Sequence, residues 1–392
     1  MTARRVIRSG TDFPLLLTTA VLAVTGLIVM YSASFVVALV EHDDPYYFLT
    51  RQAMWAVLGA ILLVAAARTD YRWLRALAFP ALLIAITFLI AVLIVGIEVN
   101  GSRRWIGVGA YTIQPSEFAK LAIVIYLAAW LEGKGRNIRS IEHGLIPFVL
   151  VVGFVGFLIM QEPSLGTTLI VILIASTMFW SAGASLKQMA LLGSAGLVVV
   201  ALLASSATYR SDRLFSFFNA ELEPEGRGFQ TVQSLIAIGN GGPTGLGLGA
   251  SRSKFFYIPE SHTDGVFAIL AEEAGLIAAS TVILLFLLFM IRGFRIGRRA
   301  PDEFGRLLAV GVTTWITVQA LLNIGGIMRV VPLTGVPLPF LSYGGNALAA
   351  ELLAVGILIS VSRQTRTVTT SKTNLGVRNE DPPRPRVPGG AQ

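Results

Sequence analysis

Long apolar runs alternate with short polar segments along most of the chain. A membrane-spanning helix needs about 20 mainly apolar residues, and ten segments approach or meet that length. They lie near 14–36, 52–67, 76–97, 115–132, 145–161, 165–183, 187–206, 265–291, 307–328 and 343–362. The pattern therefore predicts an all-α polytopic membrane protein with about ten transmembrane helices.

The basic residues orient these predicted helices, because cytoplasmic loops carry an excess of Lys and Arg. If the N-terminus is inside, the inner loops hold Arg68, Arg72, Arg75, Lys134, Arg136, Arg139, Lys187, Arg292, Arg295, Arg298, Arg299 and Arg306. Both termini are then cytoplasmic. Residues 1–13 form a short basic segment, 14–362 the transmembrane domain, and 363–392 a tail rich in Pro, Gly and Arg that is predicted to be disordered.

Composition supports a membrane protein and excludes several other classes. Hydrophobic residues make up 54% of the 392 and charged residues 14%, with a mean hydropathy of +0.70, whereas a soluble domain is roughly 25% charged. The absence of cysteine excludes disulfides and Cys-ligated metals, and the three His are dispersed. The net charge of +8 comes from short membrane-flanking loops, which favours anionic lipid over nucleic acid as its partner.

The same orientation places four less basic segments outside, and the longest is the large extracytoplasmic loop 207–263. Long loops in compact folds are usually functional or disordered. Within it, GFQTVQSLIAIGNGG predicts a short helix lying at the membrane interface. The glycine-rich GGPTGLGLGAS that follows predicts a mobile loop.

The strongest candidate site is PESHTDGVFAILAEEAG at 259–275, where a polar cluster directly precedes an apolar run. Ionisable groups at membrane depth cost about 2.5–3.5 kcal/mol each, so they are functional candidates. Asp264 is either a helix N-cap or a reactive carboxylate, kept ionised by the helix dipole if the helix starts near Thr263. Glu272 and Glu273 lie two or more turns deeper, at about 1.5 Å per residue, and are predicted to line a hydrophilic cavity.

A second candidate region is GSRRWIGVGAYTIQPSEFAK at 101–120. Arg103 and Arg104 are either interfacial anchors or a phosphate clamp, because guanidinium groups match phosphate oxygens. Glu117 and Lys120 are three residues apart and share a helix face. They are predicted to form a structural ion pair beside a polar cavity, which is compatible with a lining role.

Two further segments break the apolar pattern. Glu162 in QEPSLGTT is predicted to be a solvated acid at a helix break. The segment VPLTGVPLPFLSYGGN at 331–346, flanked by Asn323 and Arg329, is Pro- and Gly-rich at membrane depth. Irregular backbone is tolerated there only where protein covers it or a cavity lies beside it. It is therefore either a re-entrant packing element or a direct substrate contact.

Four runs in register, NGSRRWI with QPSEFAKLA, QEPSLGTTL, ESHTDGVFAILAEEAGLI and TGVPLPFLSYGGNAL, resemble the SEDS family of FtsW, RodA and SpoVE, over about residues 12–363. The resemblance implies a ten-helix peptidoglycan glycosyltransferase that polymerises lipid II together with a class B penicillin-binding protein. It implies an essential aspartate at Asp264 and an intramembrane acid–lysine pair at Glu117 and Lys120. Gly265 and Asn346 depart from the family pattern.

This resemblance suggests a mechanism on the outer side of the bacterial cytoplasmic membrane. Asp264 would be the general base that deprotonates the acceptor hydroxyl, with inversion at the anomeric centre, and His262 would tune its loop or contact substrate. The candidate partners of the leaving diphosphate are Arg103, Arg104, Arg213, Arg227 and Lys254. A divalent cation, Mg²⁺ or Mn²⁺, could assist if Asp264 or Glu260 held it. No organic cofactor is expected.

Two other functions fit the same residues. A flippase for lipid II also needs polar groups and Gly/Pro-broken helices inside a bundle, and a non-catalytic scaffold for a transpeptidase needs no reactive acid. The run YSAS at 31–34 and the long basic tail favour the FtsW-like division branch over the RodA-like elongation branch. Divisome or elongasome membrane proteins are the expected further partners.

Overall fold

The computed structural model describes residues 10–99, 102–108, 111–205, 217–218, 220–223, 226 and 228–364. Eleven α-helices lie within these ranges. They are α1 Phe13–His42, α2 Tyr47–Arg68, α3 Trp73–Val95, α4 Pro115–Lys134, α5 Ile146–Gln161, α6 Leu165–Ser181, α7 Leu186–Ser205, α8 Phe229–Gly241, α9 Val266–Arg299, α10 Glu303–Ile327 and α11 Gly345–Arg363. Ten match the predicted spanning segments, and α8 matches the predicted short helix.

Seven helical segments in the described part of the chain are long and apolar enough to cross a membrane. These are α1, α2, α3, α9, α10, α11 and the stretch Ile141–Gln161, in which a π-helical turn precedes α5. By contrast, α4 carries Glu117 and Lys120 within its apolar run, and α6 is 17 residues long. The helical, multi-pass membrane architecture is confirmed, and the count of ten crossings stays a prediction.

The helix ends that carry most of the basic residues meet at one end of the bundle. Ion pairs join them there, namely Arg72–Asp302 at 3.1 Å, Arg75–Glu132 at 2.6 Å and Arg292–Asp12 at 3.1 Å. The amide of Asp12 also donates to Ser362 Oγ at 3.4 Å. The start of α1 and the end of α11 therefore lie side by side, as expected if both termini are on one side of the membrane.

At the opposite end, part of the outer segment 98–114 forms a small sheet that the all-α prediction missed. Strands β1 Ile97–Val99, β2 Ser102–Val108 and β3 Tyr111–Ile113 pair antiparallel in the order β1-β2-β3. Asn346 Nδ2, in the first turn of α11, donates to Thr112 O at 2.8 Å. The sheet is thus fixed against the helix ends on this side.

Two helices form the centre of the bundle. The apolar windows of α10 and α11 are 83% and 89% buried, against 28% for α3. Helix α10 packs against α4, α6, α9 and α11, so its polar residues Gln319 and Asn323 are enclosed by protein and not by lipid. A buried polar side chain needs a hydrogen-bond partner, and both of these residues find theirs at the candidate site.

Helix α9 is interrupted at Gly275, whose φ of 75° and ψ of −176° are not helical. The interruption replaces two intrahelical hydrogen bonds with four bonds to the chain after α8: Leu246 N to Glu272 O, Gly247 N to Glu273 O, Leu276 N to Gly242 O and Ile277 N to Pro243 O, at 2.9–3.2 Å. A Cβ on Gly275 would lie 2.3 Å from Gly245 N. The glycine residues therefore permit backbone to insert into the helix.

This insertion corrects two expectations from the sequence. The predicted continuous helix 265–291 is broken, and the glycine-rich segment is not a free loop. Helix α8 packs against α9, and a Cβ on Gly241 at its end would lie 2.0 Å from Ala271 O. At about 3.6 residues per turn, Ala271 lies roughly one and a half turns below the start of α9. Helix α8 therefore leads the chain into the bundle and does not lie flat at its edge.

Candidate active site

The polar turn before α9 closes around Glu260, which has a positive φ of 53°. Its carbonyl accepts from Thr263 N and from Gly265 N, both at 3.1 Å, and its carboxylate accepts from Thr263 Oγ1 at 3.0 Å. Helix α9 begins at Val266 with Gly265 as N-cap, one residue after the predicted start of the segment 265–291 and three residues after Thr263. Asp264 therefore lies just outside the helix, with a half-exposed side chain.

Three hydrogen bonds hold the backbone around Asp264. Their acceptors are the successive carbonyl groups of residues 262, 263 and 264. The donors come from α10 and from the segment before α11. They are Tyr343 N to His262 O at 2.8 Å, Ser342 Oγ to Thr263 O at 2.5 Å and Asn323 Nδ2 to Asp264 O at 3.0 Å. In each of these three hydrogen bonds the acceptor is a backbone carbonyl oxygen of the turn. None of the three uses the Asp264 carboxylate.

The segment 336–344 that supplies two of these donors is itself fixed. Ser342 Oγ accepts from Leu338 N at 2.8 Å, and Ser342 O accepts from Gln52 Nε2 at 3.2 Å. The second proton of Asn323 Nδ2 reaches Val336 O at 2.8 Å. These contacts show that the Pro/Gly-rich stretch packs within the protein. A direct contact with substrate stays a prediction. Gln52 was not predicted from the sequence, because the only feature that marks it there is an amide side chain within an apolar helix.

His262 packs in an aromatic cluster on the other side of the turn. Its ring lies 4.7 Å from Phe48 and 5.7 Å from Tyr343 between centroids. Burial lowers the pKa of His262, and the carboxylates of Glu260 and Glu41 oppose that shift only in part. A neutral imidazole is therefore favoured at neutral pH, which suits positioning of the turn better than binding of a phosphate.

Glu272 and Glu273 are buried, and their carboxylates bind residues 251–254, whereas the sequence predicted that they line a hydrophilic cavity. The Glu272 carboxylate accepts from Ser251 Oγ at 2.5 Å, Arg252 N at 3.3 Å and Ser253 N at 3.3 Å. The Glu273 carboxylate accepts from Ser32 Oγ at 2.7 Å, Ser251 N at 3.2 Å and Lys254 Nζ at 3.0 Å. We name these two acids and their partners the loop anchor.

Lys254 belongs to the loop anchor, so its predicted role at the diphosphate needs correction. Its side chain is 5% exposed, and its ammonium contacts Glu273, Ser32 Oγ at 3.1 Å and Gly249 O at 2.6 Å. Three protein acceptors therefore use the three protons of the ammonium. The sequence placed Lys254 in an outer loop and gave no sign that the loop returns into the bundle.

The predicted pair of Glu117 and Lys120 is confirmed as a buried ion pair, at 2.8 Å between Oε2 and Nζ, with side chains 4% and 1% exposed. The pair belongs to a larger buried network, which the sequence did not reveal. Its further bonds are Lys120 Nζ to Gln319 Oε1 at 2.8 Å, Gln319 Nε2 to Glu351 Oε1 at 3.1 Å and Phe340 N to Glu351 Oε2 at 2.9 Å. The network therefore reaches the segment that holds Asp264.

The two arginines of β2 have different surroundings. Arg104 donates to Glu162 O at 2.7 Å and to Pro163 O at 2.6 Å, so it holds the corner between α5 and α6. The side chain of Arg103 is 54% exposed and lies 3.4 Å from Glu98. Arg103 therefore keeps an open face for a ligand. Arg213 and Arg227, the other predicted diphosphate ligands, lie outside the described residues.

Glu162 is buried at this corner, contrary to the expected solvated acid. Burial raises its pKa to about 8, although Ser116 and the nearby Arg104 charge favour the ionised form. A carboxyl group that gains a proton on folding makes stability depend on pH.

The described residues contain no group of three or more His, Cys, Asp or Glu side chains suited to a metal. Glu260 and Asp264 are the two acids in the turn. Mg²⁺ is often bound through one or two carboxylates together with substrate phosphates, so two acids suffice if the substrate completes the coordination. The turn thus offers two acids and does not form a metal cage of its own.

Comparison with known proteins decides the family. Residues 13–367 match the model of the family FtsW/RodA/SpoVE, described as "Cell cycle protein". The stage V sporulation protein E of Bacillus subtilis is 43% identical over 363 residues, which cover 92% of this chain and 99% of that protein. The chain belongs to the FtsW/RodA/SpoVE family.

Other members of the FtsW/RodA/SpoVE family agree in length and in fold. The probable peptidoglycan glycosyltransferase FtsW of Thioalkalivibrio sulfidiphilus is 41% identical and covers 90% of each chain. A chain from a solved peptidoglycan synthase complex, described as coordinating polymerization and crosslinking, has a TM-score of 0.76, 30% identity and coverage of 91% and 98%. Thermus thermophilus RodA has a TM-score of 0.67, 27% identity and the same coverage.

The two departures from the family pattern have local explanations. A Cβ on Gly265 would lie 2.7 Å from Ile258 Cγ2, so the turn closes over this position and leaves little room for a side chain. Asn346 uses its amide to bond the sheet through Thr112. Neither change alters a charged group of the turn or of the loop anchor.

Proposed function

We propose that this protein is a peptidoglycan glycosyltransferase that polymerises lipid II at the outer face of the bacterial cytoplasmic membrane. The name borne by its FtsW relatives supports the activity. One observation supports the site most directly. The half-exposed Asp264 lies at the end of the bundle opposite the basic residues, on a turn whose backbone is fixed by three hydrogen bonds.

In the proposed reaction, Asp264 removes the proton from the acceptor sugar hydroxyl as that oxygen attacks the anomeric carbon of the donor. The bond from this carbon to undecaprenyl diphosphate breaks, and a glycosidic bond forms on the opposite face. Direct displacement with one base inverts an α-linked donor to a β-linked glycan. The fixed backbone of the turn supports this role, because a positioned base loses little entropy on reaching the transition state.

The leaving diphosphate needs positive charge that is already in place. Arg103 is the described residue that best meets this need, since it is exposed at the same end of the bundle. Arg213 and Arg227 remain proposed from the sequence. When bound, a Mg²⁺ or Mn²⁺ ion would supply further charge neutralisation at the diphosphate, and Asp264 and Glu260 are the residues that would hold it.

A class B penicillin-binding protein is the proposed partner, because the related chain of the peptidoglycan synthase complex belongs to an assembly described as both polymerising and crosslinking. We propose further contacts with divisome or elongasome membrane proteins, with a division role favoured. The polyprenyl tail of the substrate stays in the bilayer while its sugars are in water. A site at a helix end, at the boundary between lipid and water, can therefore contact both the tail and the sugars.

The test is polymerisation of purified lipid II by the protein in vesicles, with and without its transpeptidase partner. Asp264→Asn is expected to lower the rate about 10²- to 10⁴-fold, the usual contribution of a general base. Asp43→Asn is the matched control, because Asp43 is exposed in the loop after α1 and has the left-handed backbone that Asn tolerates. Equal activity of Asp264→Asn and wild type would contradict the proposal.

The same vesicles separate the two alternative functions. A flippase would move fluorescent lipid II across the bilayer and form no glycan. A non-catalytic scaffold would form no glycan by itself, and cells that carry Asp264→Asn as their only copy would still grow. The proposed enzyme forms glycan strands in vitro and fails to support growth as Asp264→Asn while its protein level is unchanged.

A further inference from the structure

A cavity of about 460 Å³ lies at the basic end of the bundle, far from Asp264. The last turns of α9 and the first turns of α10 form most of its wall, and the end of α6 closes one side. The lining residues are Ser181, Met290, Ile291, Phe294, Gly297, Arg298, Arg306 and Val310. None of them belongs to the turn, the loop anchor or the buried ion-pair network.

The lining of this cavity divides into an apolar part and a cationic part. Met290, Ile291, Phe294 and Val310 are apolar, whereas Arg298 and Arg306 carry positive charge. The apolar run of α9 ends at Ile291, and the first basic residue follows at once. The boundary between hydrocarbon and headgroups is thus expected near this level, with the cavity on both sides of it.

The two arginines of the cavity are held differently. Arg306 Nη2 donates to Ser181 O at 2.6 Å, and its guanidinium pairs with Glu303. This arginine therefore spans from α10 to the end of α6 in a fixed position. Arg298 is exposed near the end of α9. Glu303 offsets one positive charge, so the excess charge at the cavity rests on Arg298.

We propose that this cavity binds an anionic phospholipid of the leaflet on the basic side. The lipid phosphate would lie between Arg298 and Arg306, because guanidinium groups bond phosphate oxygens in pairs. One acyl chain would follow the apolar wall formed by Ile291 and Phe294. Basic pockets between transmembrane helices on the cytoplasmic side are a recurring form of lipid headgroup site. The inference does not depend on the proposed function.

Native mass spectrometry of the full-length protein tests the inference directly. The protein is released from micelles that contain equal amounts of phosphatidylglycerol and phosphatidylcholine, and bound lipids are counted. The wild type is expected to retain phosphatidylglycerol selectively. Arg298→Gln should lower that selectivity about fivefold, which corresponds to about 1 kcal/mol for one arginine near anionic lipid.

Arg299→Gln is the matched control. It removes the same charge from the next residue, which is also exposed but does not line the cavity. Thermal melting of both variants shows whether either change harms the fold. A second variant, Val310→Phe, fills the apolar part of the cavity while all charges remain, and should lower retention of both lipids.

Three results would overturn the inference. The first is a wild type that retains both lipids equally. The second is an equal loss of selectivity in Arg298→Gln and Arg299→Gln, which would show general surface charge in place of a site. The third is complete displacement of phosphatidylglycerol by millimolar inorganic phosphate. That result would show that the cavity binds a free anion and that its apolar wall does not contribute.

Discussion

Asp264 and the pair Glu272 and Glu273 lie within ten residues of each other, yet the hydrogen bonds that hold these two sites differ in kind. At Asp264 the backbone carbonyls accept the fixing hydrogen bonds, and the side chain stays half-exposed. At Glu272 and Glu273 the carboxylates themselves accept bonds from buried donors. We propose that Asp264, on a turn held through its backbone, serves chemistry, whereas Glu272 and Glu273, which are bonded through their carboxylates, support structure.

Energetics explain why the deeper acids need so many partners. An ionised group at membrane depth costs about 2.5–3.5 kcal/mol, and hydrogen bonds or an opposite charge lower the cost of burying it. Glu273 has Lys254 and a serine hydroxyl, and Glu272 has a serine hydroxyl and two backbone amides. Loss of a partner of Glu272 or Glu273 is therefore expected to lower stability, whereas a change at Asp264 is expected to lower activity.

The largest expected effect on stability comes from breaking the loop anchor. Lys254→Met leaves Glu273 as a buried charge without its cation, and loss of one partner of a buried pair costs about 3–5 kcal/mol. Thermal unfolding in detergent measures the change. The double variant with Glu273→Gln should recover much of the loss, since neither charge then remains unpaired. No recovery in the double variant would contradict the pairing.

The next largest effect should come from Gly275→Ala. A side chain there meets the backbone of Gly245 at 2.3 Å, and φ is positive, so a loss of about 2–3 kcal/mol is expected. Gly153→Ala is the control, because Gly153 lies in α5 and a Cβ there has nothing within 4 Å. That change should be neutral or stabilise by about 0.5–1 kcal/mol. Equal effects would argue against inserted backbone.

The sequence identified the helices well because spanning segments need long apolar runs, and the spacing of three residues on one helix face predicted the Glu117–Lys120 pair. The catalytic role of Asp264 stays a prediction. It missed the sheet at 97–113, whose strands are three to seven residues long. It also misplaced Lys254, because the sequence of a loop that returns into the bundle looks the same as that of a loop that stays outside. Gln52, Gln319 and Glu351 were missed, since their partners lie far away in the chain.

A smaller effect tests the corner between α5 and α6. Glu162 has a folded-state pKa of about 8, above the ordinary value of 4.5, so it stabilises the fold below pH 4.5 and that contribution is lost as the pH rises through 8. Glu162→Gln resembles the protonated form. Between pH 6 and 7.5 the wild type should lose up to about 2 kcal/mol relative to this variant. Parallel melting curves across that range would contradict the burial of Glu162.

The smallest effect should be that of Asn323→Ala, which removes the bond to the carbonyl of Asp264 and the bond to Val336. A hydrogen bond contributes about 1 kcal/mol, so a fall in kcat of about fivefold is expected with little change in KM for lipid II. Asn323→Asp keeps only acceptors at this position and should not rescue the rate. A change confined to KM would indicate that Asn323 contacts substrate.

The central claim is that Asp264 serves chemistry and the loop anchor serves structure. One paired measurement tests it, namely the lipid II polymerisation rate per folded molecule and the melting temperature, both for Asp264→Asn and for Glu272→Gln. Asp264→Asn should melt like the wild type and lose about 10²- to 10⁴-fold of its rate, whereas Glu272→Gln should melt earlier and keep most of its rate per folded molecule. An active Asp264→Asn, or an inactive Glu272→Gln with wild-type melting, would contradict the account.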